Sequence, residues 1–157
     1  MTAERSAVLG FSYGGCVSFL TATEHRLGGA ITFYGNGIQN DGYPSNNDVP
    51  PLADRAPQLQ TPWLGIYGDQ DFLLAQGEID EFEVSLRRAP GFTELVRYPT
   101  AGHAFDADMT FAPGAPSSLN PAAVNDATER ALTFLRTRLS GDATVTPPPT
   151  NYRRDLT

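Results

Sequence analysis

The 157-residue sequence predicts an α/β domain, a mostly parallel sheet with flanking helices. Short apolar runs without polar alternation recur along the chain, as in strands covered on both faces. Segments with helical apolar spacing lie between them. The resulting order is strand, helix, strand, loop, strand, helix, strand, loop, helix, and it calls for crossovers between parallel neighbours.

Ser6-Ala7-Val8-Leu9-Gly10 is the first such run, expected to be a strand buried on both faces. A sharp turn follows. From Gly15 to about Thr23, Cys16, Val17, Phe19 and Leu20 recur near helical spacing, and Gly28-Gly29 supplies a stop. Ala30–Tyr34 reads as the second strand. Gly35 to Thr61 is rich in Gly, Asn, Asp and Pro with little apolar periodicity, which predicts a long surface loop. Pro62–Gly68 is the third strand, and Ile79, Phe82, Leu86 and Ala89 line a helix ending near Pro90-Gly91. Glu94–Tyr98 is the fourth strand. Asn120-Pro121 suits a helix start, Asn as cap and Pro in the first turn, with Val124, Ala131, Leu135 and Leu139 sharing a face up to Gly141. Residues 1–141 are expected to form one domain, and 142–157, with Pro147-Pro148-Pro149, a flexible tail.

Composition narrows the function. With 40% apolar and 18% charged residues there is material for a single core. No apolar run approaches the ~20 residues of a membrane-spanning helix, so a soluble protein without membrane contacts is expected. Eleven basic against eighteen acidic residues give a net charge of −7, which disfavours nucleic acid as a partner. Every basic residue is Arg; without Lys, Schiff-base chemistry and a Walker-type phosphate loop are excluded. Cys16 has no partner for a disulfide, and with His25 and His103 it does not make an ordinary zinc site. No metal or cofactor is expected. No secretion signal precedes the first strand, and a cytoplasmic setting fits.

Gly10-Phe11-Ser12-Tyr13-Gly14 matches the G-x-S-x-G elbow in the context that motif needs, between a buried strand and a helix. The turn is expected to strain Ser12 and point its Oγ out of the sheet. The Tyr13 N–H, at the helix start, then faces an oxyanion. Residues larger than glycine at positions 10 and 14 are expected to collide with the adjacent strand and helix. A serine nucleophile needs a base and an acid, which in this build follow in the order acid, then histidine. Gly68-Asp69-Gln70-Asp71 ends the third strand, and Ala101-Gly102-His103-Ala104-Phe105 follows the fourth. Ser12, Asp71 and His103 thus read as a candidate triad for acyl transfer to water.

These residues, with Phe33-Tyr34-Gly35, Thr61-Pro62-Trp63, Tyr98-Pro99-Thr100 and Asn125-Asp126-Ala127 in the last helix, resemble the dienelactone hydrolase family of the α/β-hydrolase fold from Ser6 to about Leu139. The resemblance implies nucleophile Ser12, acid Asp71 with Asp69 as backup, and base His103. The expected substrate is a small-molecule ester or lactone, with Tyr13 binding the oxyanion and Tyr34 and Phe105 in the substrate pocket. Well-known members place Cys where this chain has Ser12; Cys16, one turn on, is expected to be packing. Asp106-Ala107-Asp108 stands where members acting on dienelactone carry a carboxylate-gripping Arg, so a neutral substrate is expected. The chain begins at the nucleophile strand. A partial α/β-hydrolase fold lacking the N-terminal strands is therefore expected, without the loop that lends the family's second oxyanion donor. Ala7, Val8 and Leu9 would then line an open edge suited to a second copy or a complementing chain. A catalytically silent module that depends on such a partner is the alternative reading.

Overall fold

Alternation along the central strands divides the apolar residues between two faces of one sheet. The computed structural model describes residues 2–39 and 51–140, together with the backbone of 152–153. Its strands are β1 (Ala7–Phe11), β2 (Gly29–Phe33), β3 (Trp63–Gly68), β4 (Thr93–Tyr98) and a two-residue β5 (Tyr152–Arg153). They stand in the order β1-β2-β3-β4-β5, every neighbouring pair parallel. Helices α1 (Tyr13–Glu24), α2 (Leu52–Arg55), α3 (Glu78–Leu86) and α4 (Pro121–Leu139) complete the described fold. The rest of the expected tail lies outside the described residues.

Ala30, Trp63, Tyr67 and Leu95 point to one face, where Phe19 and Ala22 of α1, Leu52 and Ala53 of α2 and Phe82 and Leu86 of α3 cover them. Ile31, Phe33, Leu64, Ile66, Val96 and Tyr98 point to the other, packed with Ala123, Ala127, Ala131 and Phe134 of α4. This period-two division is what strands buried on both sides require. Trp63 and Phe82 are fully buried, and the Trp63 Nε1–H donates to Thr32 Oγ1 at 2.9 Å.

Three expectations are corrected. The stretch expected as a surface loop contains α2 and a 3-10 turn, Ala56–Gln58, and buries Leu52, Ala53, Ala56 and Leu59 in the core. Two of these four apolar residues are alanines interleaved with Asp54, Arg55 and Pro57, which left too weak a stripe to read. On α4 the buried face is Ala123, Ala127, Ala131 and Phe134, while Val124, Leu135 and Leu139 lie only partly buried on its flank. Small residues let the helix settle close to the sheet: a Cβ on Gly29 would sit 2.8 Å from Phe134. The cap is as expected, Asn120 Oδ1 accepting from the Ala123 N–H at 3.1 Å. Finally, β1 is not covered on both faces. It is an edge strand of the described sheet, as the open-edge expectation has it, with Ala7, Leu9 and Phe11 exposed and Val8 partly buried, and Phe11 stacks on Phe33 with ring centroids 4.8 Å apart.

One buried charge on β4 yields a stability prediction. Glu94 is buried, its Oε1 lacks a hydrogen bond among the described residues, and Arg130 Nη1 stands 3.5 Å away. Burial pushes the Glu94 carboxyl up, outweighing the nearby Arg130 and Arg138. A raised acid contributes stability that is complete below its unfolded value and is lost as pH rises through the folded value. Glu94→Gln is expected to raise Tm above wild type at neutral pH and to make no difference near about pH 4. Thermal unfolding at both pH values checks this.

Candidate active site

Between the last residue of β1 and the first of α1 stands Ser12 alone, at φ 53° and ψ −121°. Such a conformation is uncommon for a residue with a side chain and costs on the order of 1–3 kcal/mol. The surroundings hold it there. Ser12 N–H donates to Phe33 O at 3.0 Å, and Ser12 O accepts from the N–H groups of Gly15 at 2.9 Å and Cys16 at 3.2 Å. The turn is tight because α1 crosses back over β1: a Cβ at Gly10 would lie 1.9 Å from Gly14 O.

The second glycine the turn needs is not the one expected. A Cβ at Gly14 would meet nothing within 4 Å, whereas one at Gly15 would come within 2.9 Å of Phe33 O and 3.1 Å of the Gly35 Cα. Gly14 opens away from the sheet; Gly15 faces the end of β2. Gly10→Ala is therefore expected to destabilise the domain by about 3 kcal/mol or more, while Gly14→Ala stays within about 0.5 kcal/mol of wild type or stabilises α1. Denaturant titration of the two variants measures the contrast.

Two further loops leave the same sheet edge and are stitched together. Asp69 N–H donates to Tyr98 O at 3.0 Å, Gln70 N–H to Ala101 O at 2.9 Å, and Gln70 Nε2 to Pro99 O at 3.1 Å. Gly68 lets the histidine loop pass over β3, since a Cβ there would lie 2.2 Å from Ala101 O. The stitching brings His103 between the other two groups: Ser12 Oγ is 2.9 Å from His103 Nε2, and Asp71 Oδ2 is 2.8 Å from His103 Nδ1. Asp71 and His103 are both buried, and Asp71 Oδ1 accepts from the Leu73 N–H at 2.9 Å. The three groups expected together thus form one hydrogen-bonded line.

Asp69 is engaged elsewhere. Its Oδ1 lies 2.6 Å from Arg97 Nε, and Arg97 also pairs with Asp80 on α3, so the backup acid anchors the loop that carries Asp71. Tyr13 opens α1 at the positive end of its backbone dipole, with its ring exposed. Tyr34 is buried beside the imidazole, ring centroids 4.9 Å apart, and its hydroxyl donates to Asp106 Oδ1 at 2.5 Å. Burial first, and then the Asp106 hydrogen bond, push the phenol well above its ordinary value. Phe105, expected in the pocket wall, is instead fully buried among Tyr34, Tyr98 and Phe33 and backs the site from within the core. Cys16 is buried, which raises its thiol, and His25 is exposed beyond the end of α1.

Sequence reasoning missed two aromatic neighbours. The rings of Phe72 and Phe111 each lie 6.0 Å from that of His103 and 4.9 Å from one another. Phe72 adjoins Asp71, a signal that was available. Phe111 lies in an irregular stretch with no pattern to mark it. Among the described residues no group of three His, Cys, Asp or Glu side chains is placed to hold a metal, and no helix is long and apolar enough to cross a membrane.

In open parallel sheets, working groups gather outside the carboxyl ends of the strands, and Ser12, Asp71 and His103 do so after β1, β3 and β4. That arrangement places the domain in the α/β-hydrolase class. More narrowly, the chain belongs to the dienelactone hydrolase family, whose family model matches residues 1–139. It is 34% identical over 135 residues to the carboxymethylenebutenolidase of Rhodococcus opacus, a match covering 85% of this chain and 50% of that one. An Escherichia coli K12 protein carrying the same name provisionally is 33% identical over 134 residues, covering 85% of this chain and 46% of that one. A crystal structure from Klebsiella pneumoniae, provisionally named a dienelactone hydrolase, superposes with a TM-score of 0.72 at 31% identity, covering 85% of this chain and 52% of that one. The chain spans about half or less of the length of the curated relatives it matches.

Proposed function

We propose that this chain carries the machinery for hydrolysing carboxylic esters or lactones through a serine nucleophile and an acyl-enzyme intermediate. The observation that carries the reading is the line Ser12 Oγ, His103 Nε2, His103 Nδ1, Asp71 Oδ2, with steps of 2.9 and 2.8 Å. With Nδ1–H donated to Asp71, Nε2 is left as the acceptor of the Ser12 proton. Oγ attacks the acyl carbon as that proton moves to Nε2; the carbon–oxygen bond to the alcohol then breaks, and the proton passes to the departing oxygen. Water, deprotonated by the same Nε2, releases the acid and restores the serine. Negative charge on the acyl oxygen is met by the Tyr13 N–H at the start of α1. Tyr34 remains protonated beside His103, so it acts as a wall and a donor to Asp106 and not as a base.

The carboxylate of Asp106 one residue behind the site wall, on a chain of net charge −7, favours neutral esters and lactones over anionic ones. No metal or cofactor enters any step. A fluorophosphonate probe tests the nucleophile: it is expected to add covalently to the peptide containing Ser12. Labelling that persists in Ser12→Ala contradicts the assignment.

One observation favours a second reading, a module that is silent until its sheet is extended. The β1 edge exposes Leu9 and Phe11 at 42% and 44%, and an open apolar edge pairs readily with another strand. Sedimentation of the purified chain is expected to show a dimer under this reading; a folded monomer that turns over ester contradicts it.

A further inference from the structure

A cavity of about 300 Å³ has His103, Phe72, Phe111 and Pro116 among its walls. That volume is at the small end of ligand sites and suits one ring-sized group. Phe72 and Phe111 are 60% and 45% exposed, a large apolar surface to leave facing water next to a buried imidazole. Their planes meet at 57°, and each stands near 70° to the imidazole, so the three rings form a cup. Four of the polar donors around the cup are already engaged. Gln70 Nε2 donates to Pro99 O, Ser117 Oγ to Asp108 Oδ1, Ser118 Oγ to Ala107 O, and Asn120 Nδ2 to Thr100 O. What the cavity offers a ligand is therefore mainly aromatic and aliphatic carbon.

We propose that this cup is the leaving-group subsite, taking an apolar, ring-sized alcohol such as a benzyl alcohol. The proposal rests on the catalytic reading above, in which His103 Nε2 returns the Ser12 proton to the departing oxygen. That transfer needs the alcohol oxygen within about 2.6–3.2 Å of Nε2. The group attached to that oxygen must then lie against the imidazole, and the apolar cup adjoins it. In balance, the Oγ–acyl bond forms, the acyl–O(alcohol) bond breaks, and the proton taken from Oγ leaves on the alcohol, whose carbon portion occupies the cup until release.

Two ester series test this, each corrected for its hydroxide-catalysed rate: methyl and benzyl acetate vary the alcohol, while methyl acetate and methyl phenylacetate vary the acid. Phe111→Ala and Phe72→Ala are expected to cut the benzyl-to-methyl ratio of kcat/KM by about tenfold and to leave the acyl ratio unmoved. Both rings are exposed, so neither variant removes core packing; Val84→Ala, exposed on α3, serves as the distant control and changes neither ratio. Binding of benzyl alcohol is followed separately by saturation-transfer NMR in Ser12→Ala and is expected to disappear when Phe111→Ala is added. Ser12-dependent hydrolysis with an unchanged alcohol ratio, or loss confined to the acyl series, overturns the subsite and leaves the triad standing. Benzyl alcohol bound through Phe111 without any ester turnover defeats the catalytic reading and, with it, the assignment of the cup as a leaving-group subsite. Absence of both overturns the proposal.

Discussion

Ser12→Ala is expected to lower ester hydrolysis by about 10⁴–10⁶-fold with unfolding free energy within about 0.5 kcal/mol of wild type. The change deletes one oxygen whose hydrogen bond runs to His103 Nε2, and alanine meets the same backbone strain at φ 53° that serine already bears. Ser12 is not part of either core cluster, so the expected loss is chemical. Because nucleophile and base act as a unit, His103→Ala is expected to lose about as much, and the double variant little more than either. Kinetics with a short-chain ester, paired with denaturant unfolding of each variant, measure both halves of the expectation.

The second large effect concerns the acid. Asp71→Asn keeps the size and the Leu73 contact of the side chain but gives the imidazole a partner that no longer fixes the Nδ1–H tautomer or stabilises its charged form. A fall in kcat of about 10⁴-fold is expected. Asp69→Asn, two residues earlier on the same loop, loosens the Arg97 anchor and displaces Asp71 only indirectly, so its effect is expected to stay within about tenfold. Equal effects of the two substitutions would reassign the acid.

The contrast between Asp69 and Asp71 shows what could be read in advance. The order of Ser12, Asp71 and His103, each just beyond a strand, follows from short apolar runs and the turn residues after them, which are local signals. Asp71 in preference to Asp69 is what the family resemblance implies, but the contact that occupies Asp69, Arg97 reaching across from β4, lies between strands and no local pattern records it. The same division runs through the fold. All four main strands and the cap at Asn120 were legible because period and turn chemistry are local. The spare room at Gly14, the tight fit at Gly15 and the buried alanine face of α4 were not, since each depends on how closely a second element approaches. Phe105 leaves its expected place in the pocket wall for the same reason, and Phe111, for which the sequence predicted no role, stands beside the imidazole. Both are aromatic residues in the segment after β4, and only tertiary packing decides which enters the core and which stands over His103.

Acid quench of the chain during turnover of a slow acyl ester, followed by peptide mapping, tests the central claim most directly. An acyl group carried on the peptide that contains Ser12, and absent when His103 is replaced by alanine, is the predicted result. Steady turnover with no acyl adduct, or an adduct on Cys16 in place of Ser12, would contradict it.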